Sequence, residues 1–437
     1  MKKLTGKDFI LGFQHMFAMF GATVLVPIIT GLDIATTLLM AGLGTLLFHL
    51  ITGGKVPAFL GSSFAFLAGY AAIAPKLADG ASNIEMIPYA SLGVVFAGLL
   101  YLVLALLFKL FGAKRVMKFF PPVVVGPMII AIGLILAPSA ISNCQTNWIL
   151  AIVAFLTIVI CNIWGKGMVK IVPILIGIGV SCALAIILQL CGVTIFSPEQ
   201  IQGLKGADWI GFPIKWDQTV FVINDASKAI SAIIAIVPIA LATMMEHIGD
   251  ISAISSTVGK NFIADPGLHR TLTGDGLATS LSALFGGPAN TTYGENTGVL
   301  ALTKVYDPRV IRIAAVFAVI LSFSPKVACL INMIPTAVIG GVSLILYGMI
   351  SAIGARNLVE NQVDLSKSRN IIIAAAILVT ALGFNSVGGL SFTVFGIAIN
   401  LSGLAIAALV GILLNAVLPG KDYEFKDEEQ QGVDFKL

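Results

Sequence analysis

The 437 residues carry 26 Lys and Arg against 22 Asp and Glu, a net charge of +4; 57% are hydrophobic and only 11% charged. A soluble protein of this length needs far more charge to cover its surface. The composition therefore excludes a soluble enzyme or a nucleic-acid-binding domain and leaves lipid as the solvent.

Apolar runs of about 17–25 residues, long enough for a helix to cross the hydrocarbon, recur from end to end. The expected fold class is an all-α polytopic membrane protein. Fourteen spans are predicted, over residues 9–30, 34–52, 56–75, 86–108, 119–141, 147–164, 169–192, 229–258, 271–286, 288–304, 310–324, 328–352, 370–386 and 392–416. The N-terminal Met1-Lys-Lys-Leu-Thr-Gly-Lys7 is basic, but the apolar stretch after it runs on as a full span, so no cleavable signal peptide is expected. With the N-terminus in the cytoplasm, all Lys and Arg fall on the cytoplasmic side except Lys76, Lys205, Lys215, Lys228 and Lys326. The cluster Lys109, Lys114, Arg115 and Lys118 is the clearest case. Both termini are thus expected inside, in the cytoplasmic (inner) membrane.

The chain reads as built twice. Residues 1–196 form a first repeat of seven spans, 197–228 an extracytoplasmic loop, 229–420 a second repeat of seven spans, and 421–437 a polar cytoplasmic tail. Seven spans per half make the second half enter the membrane from the opposite side, the inverted repeat of many transporters. Phe120-Pro-Pro-Val-Val-Val-Gly126 opens span 5 and Ile334-Pro-Thr-Ala-Val-Ile-Gly340 opens span 12, each with Pro, four residues, then Gly.

Spans 3 and 10 hold matching places in the two halves, and both are broken. Span 3 reads Val56-Pro-Ala-Phe-Leu-Gly-Ser-Ser-Phe64, where Pro57, Gly61 and the two serines disfavour continuous helix. Ser63 is expected to cap a half-helix beginning near Phe64. Span 10 reads Pro288-Ala-Asn-Thr-Thr-Tyr-Gly294, with helix expected from about Gly294. Each break leaves backbone N–H groups without helical partners, at the positive end of a helix dipole. Paired interruptions of this kind point to a binding site.

Thirty-one residues lie between Lys228 and Lys260, and their titratable side chains are Glu246, His247 and Asp250. Glu246 falls near the middle of its span. Asp250, four residues on, shares its helix face, whereas His247 is turned about 100° away and reads as a helix–helix contact. His15, beside Gln14 in span 1, reads the same way. A carboxylate in the membrane is expensive and marks function by default. Glu246 and Glu295, one on each side of the second break, suggest a shared site. Two carboxyls with free backbone N–H groups suit a flat neutral ring of alternating N–H and C=O groups. The five cysteines and four histidines lack metal-ligand spacing, and neither a metal nor a cofactor is expected.

At these residues the chain resembles the nucleobase–ascorbate transporters, also called nucleobase–cation symporters, and within them the bacterial uracil-permease branch. The resemblance covers nearly the whole chain. It is carried by Gln14–Pro27, Gly61-Ser-Ser-Phe-Ala-Phe66, Glu246-His-Ile-Gly-Asp250, Asp265-Pro-Gly-Leu-His-Arg270 and Asn290-Thr-Thr-Tyr-Gly-Glu-Asn-Thr-Gly298. The family pattern of Gln or Glu, Asn, any residue, Gly, four residues, Thr and a basic residue is met by Glu295, Asn296, Gly298, Thr303 and Lys304. The resemblance implies a core domain of spans 1–4 and 8–11 and a gate domain of spans 5–7 and 12–14. It places a nucleobase between the half-helix starts, bound by Glu246 and Glu295, by backbone groups at Phe64 and Gly294 beside Ser63, and packed by Ala22, Phe64, Tyr293 and Tyr347. Some relatives carry His where this chain has Asp250.

The expectation is then a proton-coupled uracil importer working by alternating access, not an enzyme. Glu246 and Asp250 are the proton-coupling residues, the proton is the coupling ion, and a homodimer through the gate domain is implied. The alternative is a purine permease (xanthine, urate or guanine) of the same fold. Sodium in place of the proton is left open. An anion exchanger would want a basic residue in 56–68 or 286–298, and the sequence has none there.

Overall fold

The computed structural model describes residues 6–77, 81–394 and 397–421, less the side chains of Lys7, Glu295, Val394, Ile397 and Ala398. In chain order the first half gives α1 (Gly6–Thr30), α2 (Ile34–Ile51), strand β1 (Leu60–Ser62), α3 (Leu67–Ile73), α4 (Ile87–Phe111), α5 (Pro122–Cys144), α6 (Trp148–Trp164) and α7 (Pro173–Leu190). The second half gives α8 (Ala226–Ile236), α9 (Ile239–Val258), α10 (Leu268–Leu284), strand β2 (Asn290–Thr292), α11 (Gly294–Thr303), α12 (Pro308–Ser322), α13 (Pro325–Asn332), α14 (Thr336–Glu360) and α15 (Ser368–Ser386). A hairpin of β3 (Leu390–Val394) and β4 (Ile397–Leu401) precedes α16 (Gly403–Val417).

Among the described residues, eight helices are long and apolar enough to cross a bilayer, counting Ala226–Val258 (α8 and α9) as one. A further pair, α12 and α13, is bent by 89°, and α6 and α16 are apolar but shorter. The protein is therefore a mostly helical, multi-pass membrane protein. Local signals set the ends of these helices. Asp33, Asn147, Asp225, Asp307 and Ser402 stand in front of α2, α6, α8, α12 and α16, and each side chain accepts a first-turn amide. Gly259 closes α9 in the left-handed region at φ 70°.

Three boundaries differ from the sequence reading. The twelfth span, expected over 328–352, is Thr336–Glu360, because Pro335 stands at the N-cap and the residues before it fold as the separate α13. The last span, expected over 392–416, begins as helix only at Gly403. Leu390–Val394 and Ile397–Leu401, rich in β-branched residues, pair as antiparallel strands instead. The third-span half-helix starts at Leu67 with Phe66 at its N-cap, not at Phe64 with Ser63 as cap. Ser63 sits in extended chain, and its hydroxyl has no partner among the described residues. The polar tail, read as 421–437, lies outside the described residues beyond Lys421.

The two breaks meet. β1 and β2 pair antiparallel, with Leu60 opposite Thr292, Gly61 opposite Thr291 and Ser62 opposite Asn290. The ladder extends through Ser63 N–H to the Ala289 carbonyl at 2.9 Å. Around it, neutral side chains satisfy backbone that would otherwise be stranded in the membrane. The Leu60 amide donates to Thr45 Oγ1 (2.9 Å), Ser62 Oγ donates to the Thr23 carbonyl (2.8 Å), and Thr279 Oγ1 donates to the Asn290 carbonyl (2.7 Å). Asn290 Nδ2 reaches the carbonyls of Met40 (3.1 Å) and Ala278 (3.3 Å), tying β2 to α2 and α10. Gly61 is required here, since a Cβ would overlap the Tyr293 ring.

Small residues let the long helices approach backbone to backbone. α5 lies along α14, where a Cβ on Gly354 would come within 2.7 Å of the Gly126 carbonyl. α4 lies along α10, where a Cβ on Gly276 would come within 2.6 Å of the Gly98 carbonyl.

Candidate functional site: a cleft against the two broken segments

The α11 helix begins at Gly294, as the sequence suggests, with Tyr293 as its N-cap. Neither Tyr293 nor Phe66, the N-cap of α3, supplies a side-chain acceptor to the amides that open its helix. The Tyr293 hydroxyl instead donates to the Ser62 carbonyl at 3.1 Å, joining one break to the other. Asn296 Nδ2 donates to the Pro57 carbonyl at 2.8 Å and does the same one turn further along.

A cleft of about 390 Å³, counting the part open at its mouth, lies against this crossing. Phe64 from the first break and Thr291 to Gly294 from the second form one wall. Glu246 and Asp250 of α9 form another, one helical turn apart. Ile129 of α5 with Ile350 and Ile353 of α14 close the third. The carboxylates thus face the cleft together, as their four-residue spacing requires. A Cβ on Gly294 would lie 3.0 Å from Asp250 Oδ1 and 3.2 Å from Ile353 Cδ1, so a side chain there would push on both.

Of the sequence-predicted residues, Phe64, Glu246, Asp250, Tyr293 and Gly294 line this one cleft. The side chain of Glu295 lies outside the described residues; its backbone is the second residue of α11. Three residues do not line the cleft. Tyr347 is buried behind it, its ring edge-on to Phe64 with centroids 5.7 Å apart. Ala22 is buried in α1. Ser63 is buried in extended chain beside β1.

Two groups were missed. The isoleucine wall gives no polar signal in a chain full of apolar residues. Asp275, buried in α10, does give one: it is a carboxylate within a predicted span, open to the same argument that picks out Glu246. Its Oδ2 lies 3.1 Å from His247 Nδ1. His247, read as a helix–helix contact, is one: it sits between Asp275 and Thr292 Oγ1, the latter at 3.0 Å.

Chemically, the cleft joins two carboxyls, hydroxyls and uncapped helix-start amides with an aromatic ring and aliphatic wall. The Thr291 hydroxyl is buried with no partner among the described residues, which leaves its hydrogen-bonding capacity unused. Such a set holds a small planar polar molecule by its edges and packs its faces.

The fold is shared with the transmembrane domain of a cyanobacterium bicarbonate transporter, BicA: TM-score 0.60 at 16% identity, covering 94% of this chain and 97% of that one. In sequence, the chain is 42% identical over 426 residues to the uracil permease of Bacillus caldolyticus, covering 95% of this chain and 93% of the relative. It is 40% identical over 433 residues to the uracil permease of Bacillus subtilis strain 168, covering 96% and 94%. The profile of the permease family matches residues 6–390. The resemblance first carried by the Glu246–Asp250 and Asn290–Gly298 motifs therefore holds over nearly the whole sequence: the chain belongs to the permease family, and is a transporter rather than an enzyme.

Proposed function

We propose that this permease imports uracil together with a proton, by alternating access. The observation that carries the reading is the cleft itself, where Glu246 and Asp250 face the unwound Thr291–Gly294 segment. Relatives with the printed name uracil permease, at 42% and 40% identity, support the substrate. In this reading uracil lies between the starts of α3 and α11, with Glu246 and Glu295 on its edge and Phe64 and Tyr293 on its faces. Ser63, Ala22 and Tyr347 act from behind, as supports of the site. A protonated Glu246 donates to a uracil carbonyl and accepts from a ring N–H; ionised, it can only accept. Proton and uracil then favour each other's binding reciprocally. Asp250, against Gly294 at the same helix start, passes the proton toward the cytoplasm.

The core comprises α1–α4 and α8–α12, and the gate α5–α7 and α14–α16, related as inverted repeats. Pro121 and Pro335, the matching residues of the two halves, stand as N-caps of α5 and α14, which pack on one another. With both termini in the cytoplasm of an inner membrane, α14 runs inward from Thr336. Ile350 and Ile353 are then on the cytoplasmic side of Tyr347, and the Phe64–Tyr347 contact seals the outer side. A homodimer through the gate helices belongs to the same reading.

The substrate is tested by uptake of labelled uracil into liposomes containing the purified protein, with unlabelled bases as competitors. Uracil should compete and xanthine, urate and guanine should not. Competition by a purine at matching concentration would move the assignment to the purine branch.

A further inference from the structure

The fasteners that hold β1 and β2 are neutral side chains, with one exception. His247 of α9 and Asp275 of α10 are both without exposed surface, and they meet at the strand residue that borders the cleft. His247 Nδ1 lies 3.1 Å from Asp275 Oδ2 and 3.0 Å from Thr292 Oγ1. His247 Nε2 has no partner among the described residues. The tautomer that strands no N–H is therefore the one protonated at Nδ1, which hydrogen-bonds Thr292 and lies in ion-pair contact with Asp275, whose two buried carboxylate oxygens have no hydrogen-bond partner among the described residues. The Phe48 ring stands edge-on to the imidazole, with centroids 6.4 Å apart, and limits its rotation. On the α4 side the Tyr101 hydroxyl is taken up by Thr243 Oγ1 at 2.7 Å. Burying an ionisable pair is a poor way to gain stability, since apolar residues of like volume do as well or better. The other fasteners described for the strands are neutral threonine, serine, asparagine and tyrosine side chains.

We propose that Asp275 and His247 are positioning residues for the transport site. The Asp275 carboxylate, 3.1 Å away, favours the proton on Nδ1 of His247 by its charge, and Nδ1 of that ring holds Thr292. Thr292 in turn fixes the unwound Thr291–Gly294 segment that forms one wall of the cleft. The proposal rests on the uracil reading for its ligand only. Thr292 borders the cleft with its backbone in the strand and its hydroxyl on the imidazole. Loss of that one hydrogen bond frees the wall without touching the carboxyls of Glu246 or Asp250.

The test compares two pairs of variants in purified full-length protein. Thr292→Ser keeps the hydroxyl, whereas Thr292→Val keeps the shape and loses it. His247→Asn keeps an N–H near the place of Nδ1, whereas His247→Gln moves it outward. Asp275→Asn is examined beside them. In ligand-free protein, hydrogen exchange of the amides of residues 290–296 should quicken in Thr292→Val, His247→Gln and Asp275→Asn. It should stay as in the wild type in Thr292→Ser and His247→Asn. Uracil titrated by calorimetry should bind about tenfold more weakly to the first group and within about threefold of wild type to the second, the scale of one lost hydrogen bond. Wild-type exchange and affinity in Thr292→Val would overturn the proposal, as would equal damage in Thr292→Ser and Thr292→Val. If wild-type protein binds no uracil, the substrate reading falls, while the exchange measurement still decides this inference.

Discussion

Glu246 and Glu295 carry the coupling and binding roles in this account, and their replacement separates the two. Glu246→Gln keeps hydrogen-bonding capacity but cannot exchange a proton, so it should abolish concentrative uracil uptake; full accumulation in that variant would remove Glu246 from the coupling step. Glu295→Ala should abolish uracil binding in calorimetry, and retained heat of binding would move the ring-binding role elsewhere. Gly294→Ala puts a methyl 3.0 Å from Asp250 Oδ1 at the cleft wall. It should weaken binding by about tenfold, through displacement of the helix start or of the aspartate. The combined Gly294→Ala and Asp250→Ala change should relieve the contact with the carboxylate, leaving only the Ile353 methyl at 3.2 Å to give, and restore the geometry in part, though not transport. At this scale the sequence was legible where a charge stood out against lipid-like surroundings. Glu246 and Asp250 announced themselves, and their four-residue spacing put them on one face. Asp275, a carboxylate within a predicted span, carries the same signal. Ile129, Ile350 and Ile353 carried none, because nothing local distinguishes a cleft-lining isoleucine from a packed or lipid-facing one.

The two broken segments are the elements on which the site depends, and Pro57, Gly61, Pro288 and Gly294 announced both breaks in the sequence. That they pair with each other, Leu60 opposite Thr292, was not legible, since a three-residue strand has no periodicity to read. Helix starts were read less well. Ser63 looked like a cap, yet the chain stays extended through the strand crossing and α3 begins only at Leu67. Phe392–Leu401 looked like the start of a span and is a hairpin, because a short apolar run serves strand and helix alike. The crossing depends on Asn290, whose amide joins β2 to the carbonyls of Met40 and Ala278. Both carbonyls lie mid-helix and keep their helical amides, so Asn290→Ala loses two bridging hydrogen bonds and should destabilise the protein by about 1–3 kcal/mol. The melting temperature in detergent should fall by several degrees, with uracil binding lost in proportion. An unchanged melting temperature would show that other contacts hold the crossing.

In the proposed alternating access, the core moves against the gate as a body. The seam is close on the side toward Glu360, where a Cβ on Gly249 of α9 would lie 3.7 Å from Asn357 Nδ2 of α14. Cysteines at positions 249 and 357, in a background without the five native ones, should form an oxidative cross-link that stops uptake and is reversed by reductant. Uptake that persists in the cross-linked protein would mean that these two helices move together. The two Pro-to-Gly openings on which the proposed inverted plan rests head the packed helices α5 and α14. Which helices join in one moving body could not be seen, because packing partners are set by glycine contacts far apart in the chain. The central claim, a proton-driven uracil importer, is tested most directly in liposomes in sodium-free buffer with an imposed pH gradient, acid outside. The account predicts that labelled uracil accumulates above its external concentration and that a protonophore abolishes the accumulation; uptake that only equilibrates, or that is indifferent to the gradient, would contradict it.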